Sequence, residues 1–175
     1  SGVWENLFKA LSDDADFEYI LVDSTIVRAH QHSAGASKKA IDPKIGLKLT
    51  RWDAQGGLST KVHVATDALG NPVRFILTGG ERSNITRIEG LLAGLRTNHV
   101  LADKGYDGRR AMDAIAAAGA RPVVPRRKIT AAWRAFDASL YKDRNLIERF
   151  FNKIKHFRRI APRYDTPARN YAGFL

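Results

Sequence analysis

The chain has 175 residues, 44% of them hydrophobic, which suits one domain with a substantial core. It contains no cysteine, so a disulfide framework and a cysteine-ligated zinc site are both excluded. The formal net charge of +11 points to a polyanionic partner such as nucleic acid, although a merely basic soluble protein would carry the same charge. No apolar run is long enough for a membrane span, and we expect a soluble, cytoplasmic protein.

The first half of the sequence predicts a strand, a loop and a hairpin. Residues 1–18 are expected to be the tail of an upstream helical region, because apolar side chains recur there at helical spacing. These side chains are Trp4, Leu7, Phe8 and Leu11. The apolar run from Tyr19 to Val22 predicts a buried strand that continues toward Ala29. Residues 33–57 are poor in large apolar groups and predict a flexible loop. Residues 59–80 predict a hairpin around a Gly-Asn-Pro turn.

The second half of the sequence alternates helices with short strands. Apolar residues at helical spacing from Ile85 onward predict a helix that stops near Gly94. A strand is predicted over HVLAD, and a helix over GRRAMDAIAAAG that ends at its glycine. RPVVP predicts another short strand, and residues 126–138 predict a loop. The stretch LYKDRNLIERFFNKIKHFRRI has no internal glycine or proline and predicts one long helix.

This order of elements predicts the fold class. A meander of strands followed by alternating helices and strands indicates an α/β protein with a mixed sheet flanked by helices. The ribonuclease-H-like fold has this order, so we expect residues 19–175 to form one ribonuclease-H-like domain.

Three carboxylates are the candidates for the chemistry. Asp23 lies within the first predicted strand, and Asp103 ends the fourth, so both meet at one edge if these strands are neighbours. Glu148 lies on the last helix at the margin of its apolar face, on a stripe with Tyr141, Arg144 and Lys155. Converging carboxylates need a cation, and oxygen-only ligands suit Mg²⁺ or Mn²⁺. Two such ions can catalyse phosphoryl displacement.

The same segments resemble the DDE transposases of bacterial insertion sequences, in the group with a Tyr-Arg-Glu-Lys signature. VDSTIVRAHQHSAGA resembles the segment around the first aspartate of that family, and VLADKGYD the segment around the second. YKDRNLIERFFNKIKHFRRIAPRYD resembles the glutamate segment, and GGLSTKVHVATDALGNPVRFILTGG matches the hairpin between them. The resemblance covers nearly all of the chain from Tyr19 onward, but the loop at 37–56 departs from the Gly/Arg-rich sequence usual in the family.

The resemblance implies a mechanism and a set of partners. Asp23, Asp103 and Glu148 would bind two Mg²⁺ or Mn²⁺ ions that activate water to cut DNA at the ends of the element. The freed 3′-hydroxyl would then attack target DNA. Arg144 and Lys155 would bind phosphates and Tyr141 would position the DNA backbone. The partner would be double-stranded DNA, bound by a homodimer or a higher oligomer in the bacterial cytoplasm.

Further basic residues are candidate phosphate contacts, because they flank the proposed site. They are Arg126, Arg127, Lys128, Lys153, Arg158 and Arg159. A solvated basic surface is the alternative. Trp133 could stack on a flipped base or fill the core beneath its loop.

Each acidic candidate also has a structural interpretation. Asp23 could pair with Arg28, and Asp103 could be an ordinary turn aspartate before Gly105. Glu148 could form an exposed helix pair, a contact worth only about 0.3–0.5 kcal/mol.

Other polar residues near these motifs are expected to be structural. Asp107 is expected to cap the helix that follows it, with a supporting contact behind the metal ligands as the alternative, and Asp67 is expected to stabilise the hairpin turn. The scattered histidines His30, His32 and His63 are expected to be structural or to face DNA. The alternatives for the whole chain are an inactive or purely DNA-binding descendant of a transposase, or a metal-dependent nuclease of the same fold.

Overall fold

The computed structural model describes residues 10, 15–30, 41–42, 47–48, 59–128, 135–164 and 171. The chain divides into two compact units. The first consists of residues 1–23, 63–76 and 83–150, and the second of residues 24–62, 77–82 and 151–175.

The strands agree with the predicted meander. They are β1 (Tyr19–Ala29), β2 (Ile41–Asp42), β3 (Leu47–Lys48), β4 (Ser59–Thr66), β5 (Pro72–Gly79), β6 (His99–Ala102), β7 (Arg121–Val123) and β8 (Pro162–Arg163). The main sheet has the order β5-β4-β1-β6-β7. The β4–β5 hairpin therefore lies on one side of β1, and the parallel strands β6 and β7 lie on the other. The mixed sheet predicted from the order of elements is confirmed.

The helices are shorter than the sequence predicts. They are α1 (Ile88–Leu92), α2 (Arg109–Ala117), α3 (Ala138–Tyr141) and α4 (Asn145–Lys155). Turns of 3₁₀ helix precede α1 at Asn84–Arg87, precede α2 at Lys104–Tyr106, and separate α3 from α4 at Lys142–Arg144. The single helix expected over residues 140–160 is therefore wrong, because the 3₁₀ turn interrupts it and α4 ends at Lys155.

The core of the first unit lies between the sheet and helices α1 and α2. Ile20 and Val100 from the sheet pack with Ile88 of α1 and Ile115 of α2, and all four are fully buried. Tyr106, from the 3₁₀ turn after β6, is buried in the same cluster. Apolar burial of this kind is the main stabilising contribution to folding, and it fixes β1 beside β6.

The second unit has its own contacts. Arg28 and Ala29 pair in parallel with Pro162 and Arg163 of β8. The hydroxyl of Tyr171, which is fully buried, donates to the carbonyl of Ile160 at 3.0 Å. These contacts join the end of β1 to the segment that follows α4.

One predicted loop contains strands, and some predicted features lie outside the described residues. β2 and β3 pair antiparallel, Ile41 with Lys48, within the stretch predicted to be a flexible loop. That prediction is therefore wrong at these four residues. The apolar side chains of the predicted N-terminal helix lie outside the described residues, as do His32 and Trp133.

Candidate active site

Asp23 and Asp103 are brought side by side by the pairing of β1 with β6. The register joins Val22 to Ala102, and each aspartate is the next residue in its own chain segment. Val22 and Ala102 are fully buried. Because successive side chains of a strand point to opposite faces, the carboxylates of Asp23 and Asp103 lie on the face opposite to Val22 and Ala102. Neighbouring strands lie about 4.8 Å apart, so the two aspartates lie in adjacent chain segments where β6 ends.

The carboxylate of Asp103 is oriented by the turn that follows it. Its Oδ1 accepts the backbone N–H of Gly105 at 2.8 Å, and its carbonyl accepts the N–H of Tyr106 at 3.0 Å. A Cβ at position 105 would lie 2.7 Å from Oδ1 of Asp103, so glycine is required for this approach. The candidate site carboxylate Asp103 is thus also the N-cap of a 3₁₀ turn.

Arg144 joins the strand carboxylate to the helix carboxylate. Its Nη1 lies 3.3 Å from Oδ2 of Asp23, and its Nη2 donates to Oε1 of Glu148, four residues further along the chain. The side chains of Arg144 and Asp23 are 18% and 16% exposed, whereas that of Glu148 is 50% exposed. The guanidinium of Arg144 therefore offsets the repulsion between the carboxylates of Asp23 and Glu148. The sequence had predicted a metal ion in this neutralising role.

Tyr141 lies among all of these charges. Burial raises the pKa of its hydroxyl, Arg144 opposes that shift, and the carboxylates of Asp103, Asp23 and Glu148 add to it. The guanidinium carbon of Arg144 lies 5.7 Å from the centre of the Tyr141 ring. The pKa of the Tyr141 hydroxyl is therefore affected by all three candidate carboxylates.

The turn that carries Arg144 is tied to the start of β1. The hydroxyl of Tyr19 donates to Oδ2 of Asp143 at 3.1 Å. Tyr19 and Asp23 are four residues apart on one strand, so they lie on the same face. Sequence reasoning missed Tyr19 and Asp143, and the spacing of Tyr19 from Asp23 was the one available signal.

The donor set suits a hard divalent cation, because Asp23, Asp103 and Glu148 offer only oxygen atoms. As arranged, no three histidine or acidic side chains within the described part of the chain form a group that could hold a metal ion. Arg144 pairs with both Asp23 and Glu148, and this pairing accounts for two of the three carboxylates without a metal ion.

Among the predicted DNA contacts, Tyr141 and Arg144 are half-buried, whereas the other basic residues are exposed and fall in both units. Arg126, Arg127 and Lys128 follow β7 in the first unit. The others lie in the second unit and are Lys153, Lys155, Arg158 and Arg159. Arg127 already donates from Nε to the carbonyl of Lys104 at 2.9 Å and from Nη2 to that of Gly105 at 2.8 Å.

Asp107 and Asp67 both have structural roles in the fold. Asp107 does not cap α2, whose N-cap is Gly108. Its Oδ2 instead accepts the backbone N–H of Arg127 at 2.7 Å, so the cap prediction is wrong because a tertiary contact takes the carboxylate. Asp67 stabilises the hairpin turn as predicted, since its Oδ1 accepts the N–H groups of Leu69 and Asn71.

The chain belongs to the transposase DDE domain family, whose model matches residues 15–175. The enzymes of this family cut DNA and transfer its strands. The resemblance seen in the sequence is thereby confirmed at the level of the family.

Curated relatives agree with this assignment. A protein of Brucella ovis named as a transposase for insertion sequence element IS6501 is 38% identical over 125 residues, which cover 67% of this chain and 92% of that protein. A protein of Burkholderia cepacia named as a transposase for insertion sequence element IS402 is 30% identical over 145 residues. That match covers 76% of this chain, which spans 65% of the length of the Burkholderia protein.

Solved structures show a more distant similarity. The Mos1 mariner paired-end complex with Mn matches 85% of this chain and 58% of its own, with a TM-score of 0.40 and 13% identity.

Within the residues that the structure describes, no helix has the length and apolar composition needed to cross a membrane.

Proposed function

We propose that this chain is the catalytic domain of a bacterial insertion-sequence transposase. In this proposal Asp23, Asp103 and Glu148 hold Mg²⁺ or Mn²⁺, and DNA is cut at the ends of the element. The main support is that the two aspartates directly follow paired residues of adjacent parallel strands, while Arg144 joins Asp23 to Glu148. Membership in the transposase DDE domain family supports the same reaction.

The carboxylates would hold the cation from three different elements, since Asp23 lies on β1, Asp103 follows β6 and Glu148 lies on α4. When bound, the ions, which we propose to be two, polarise the scissile phosphate and lower the pKa of the attacking water. The oxygen of that water bonds to phosphorus as the bond from phosphorus to the 3′-oxygen breaks. The new 3′-hydroxyl then attacks a phosphate of target DNA in the same way.

Tyr141 and Arg144 would position the DNA backbone. The pKa of the Tyr141 hydroxyl is raised above its ordinary value, chiefly by burial, so the hydroxyl stays protonated well above pH 7 and can donate a hydrogen bond to a phosphate oxygen. Arg144 carries the guanidinium geometry that suits bidentate phosphate binding. Together with Glu148 and Lys155 they have the spacing of the Tyr-Arg-Glu-Lys signature, and we propose that this chain is a member of that group.

The partner in this proposal is double-stranded DNA, namely the ends of the element and the target, bound by a homodimer or higher oligomer in the bacterial cytoplasm. The net charge of +11 supports binding to a polyanion. The exposed basic residues at 126–128 and 153–159 are the proposed phosphate contacts.

The decisive experiment is a cleavage assay with Mg²⁺ or Mn²⁺ on DNA that carries the ends of the native element. We expect nicking that depends on metal and is confined to those ends, followed by joining of the 3′-ends to a second DNA. Cutting of any DNA without joining would identify a nuclease instead. Binding without cutting under all metal conditions would identify an inactive, transposase-derived domain.

A further inference from the structure

The turn that follows Asp103 is held from outside by a single arginine. The backbone N–H of Arg127 donates to Oδ2 of Asp107 at 2.7 Å. The guanidinium of Arg127 donates to the carbonyls of Lys104 and Gly105, at 2.9 and 2.8 Å. Three hydrogen bonds from one residue therefore span the turn from residue 104 to residue 107.

This contact reaches the carboxylate of Asp103 through Gly105. The N–H of Gly105 binds Oδ1 of Asp103, while the carbonyl of Gly105 accepts from Arg127. The two peptide groups that flank Gly105 are thus fixed from opposite sides. The direction of the Gly105 N–H helps to set the orientation of the Asp103 carboxylate that accepts it. Arg127 therefore affects that carboxylate indirectly, through the peptide groups of Gly105.

The geometry requires a guanidinium. Nε and Nη2 form a planar fork that binds two acceptors at once, whereas the ammonium of a lysine is a single charged centre. The anchor on the other side is buried, since Asp107 is only 7% exposed. Asp107 holds the backbone N–H of residue 127 and so fixes the position from which the guanidinium reaches the turn. A residue that merely added positive charge to a DNA surface would not need the fork.

We propose that Arg127 is a positioning residue that, with Asp107 as its anchor, fixes the turn behind Asp103 and thereby the orientation of the Asp103 carboxylate. The effect on cation binding rests on the proposed function, whereas the effect on the turn does not. This role is separate from the phosphate contact proposed for Arg127, because it uses Nε and Nη2 to bind two carbonyl oxygens and does not depend on the other N–H donors of the guanidinium.

The test compares Arg127→Ala and Arg127→Lys with Arg121→Ala, which removes one charge from an exposed position of the same unit. Amide exchange at Gly105, followed by NMR on glycine-labelled protein, reports the turn. Mn²⁺ affinity, measured by calorimetry without DNA, reports the carboxylate. Both Arg127 variants are expected to speed the exchange at Gly105 and to weaken Mn²⁺ binding by about 10–100-fold, whereas Arg121→Ala changes neither.

Two results would overturn the proposal. One is Gly105 exchange in Arg127→Lys equal to that of the unchanged protein. The other is an effect of Arg127→Ala on DNA affinity alone that the lysine variant restores, which would assign Arg127 to phosphate binding. If Arg127→Ala does not fold, Arg127→Lys carries the comparison, because it keeps the charge. Failure of the unchanged protein to bind Mn²⁺ would overturn the proposed function, and the exchange at Gly105 would then decide the positioning role by itself.

Discussion

The hydroxyl of Tyr19 donates a hydrogen bond to Oδ2 of Asp143, and this contact joins the start of β1 to the turn that presents Arg144. Burial raises the pKa of Tyr19 to about 12, with the hydrogen bond to Asp143 and the charge of Asp143 as the next causes. Because the pKa is higher in the folded chain than in the unfolded one, this group stabilises the fold fully below pH 10. That contribution is lost as the pH rises from about 10 to about 12.

The first prediction concerns this contact. Tyr19→Phe removes the donor, so we expect a lower melting temperature at pH 7, because the lost hydrogen bond is worth about 1 kcal/mol. The variant is also expected to lose less stability than the unchanged protein between pH 10 and 12. Denaturant unfolding across this pH range measures the effect, with Tyr164→Phe as the control. Parallel curves for the unchanged protein and Tyr19→Phe would contradict it.

The second prediction separates catalysis from the helix ion pair. Glu148→Gln keeps the shape of the side chain but removes the charge that would hold a cation. We expect strand cleavage to be abolished and DNA affinity to stay equal or rise slightly, because one negative charge near the phosphates is gone. Rates of cleavage and DNA affinities measured side by side provide the check.

The matched control for this variant is Glu89→Gln. Glu89 is 54% exposed and pairs with Arg110 at 2.8 Å, so it has the same kind of environment as Glu148 without the site. Full cleavage is expected from Glu89→Gln. If Glu148→Gln also cleaves fully, Glu148 is only half of an exposed ion pair and the proposed mechanism fails.

A third prediction addresses DNA binding by Lys155. Lys155→Ala should weaken DNA binding and reduce the dependence of log affinity on log salt concentration by about one contact. Mn²⁺ affinity should not change, since the carboxylates keep all their oxygen atoms. Affinity titrations at several salt concentrations test this, with Arg121→Ala as the charge control. An unchanged salt slope would remove Lys155 from the DNA contacts.

The fourth prediction concerns the end of α1. Nη1 of Arg74 donates to the carbonyls of Gly90, Leu91 and Ala93, at 3.0, 3.0 and 2.6 Å, and places a positive charge at the helix C-terminus. Arg74→Ala is expected to lower the free energy of unfolding by about 1–3 kcal/mol. Urea unfolding gives the value. Arg110→Ala, which removes an arginine from an exposed pair, should have a far smaller effect, and equal losses would argue against the capping role.

Short-range sequence patterns predicted the elements whose formation depends mainly on neighbouring residues. The strand beginning at Tyr19 was predicted because its first four residues are all apolar, and the hairpin because of the turn chemistry around Asp67. The break at Lys142–Arg144 was not predictable, since no glycine or proline marks it. The pair of β2 with β3 escaped because two-residue strands carry no periodicity.

The partners of the site residues were harder to predict than the residues themselves. The sequence predicted that Asp23 and Asp103 meet if the first and fourth strands are neighbours, and β1 does pair with β6. Their contacts are tertiary or depend on one peptide direction, as with Arg144 on Asp23 and the N–H of Gly105 on Asp103. Asp107 shows the same limit. Its position in the sequence suggested a helix cap, but its carboxylate accepts the backbone N–H of Arg127, twenty residues away.

The parallel pairing of β1 with β6 also has a consequence for synthesis. Asp23 leaves the ribosome long before Asp103, and Glu148 follows later still. Pairing between such distant segments forms slowly, because a long loop must close before any contact rewards it. Under the proposed function, a nascent chain that ends before α4 lacks a metal ligand and is harmless to the DNA around it. The ability to cut therefore arises only after the ribosome has passed the last of the three carboxylates.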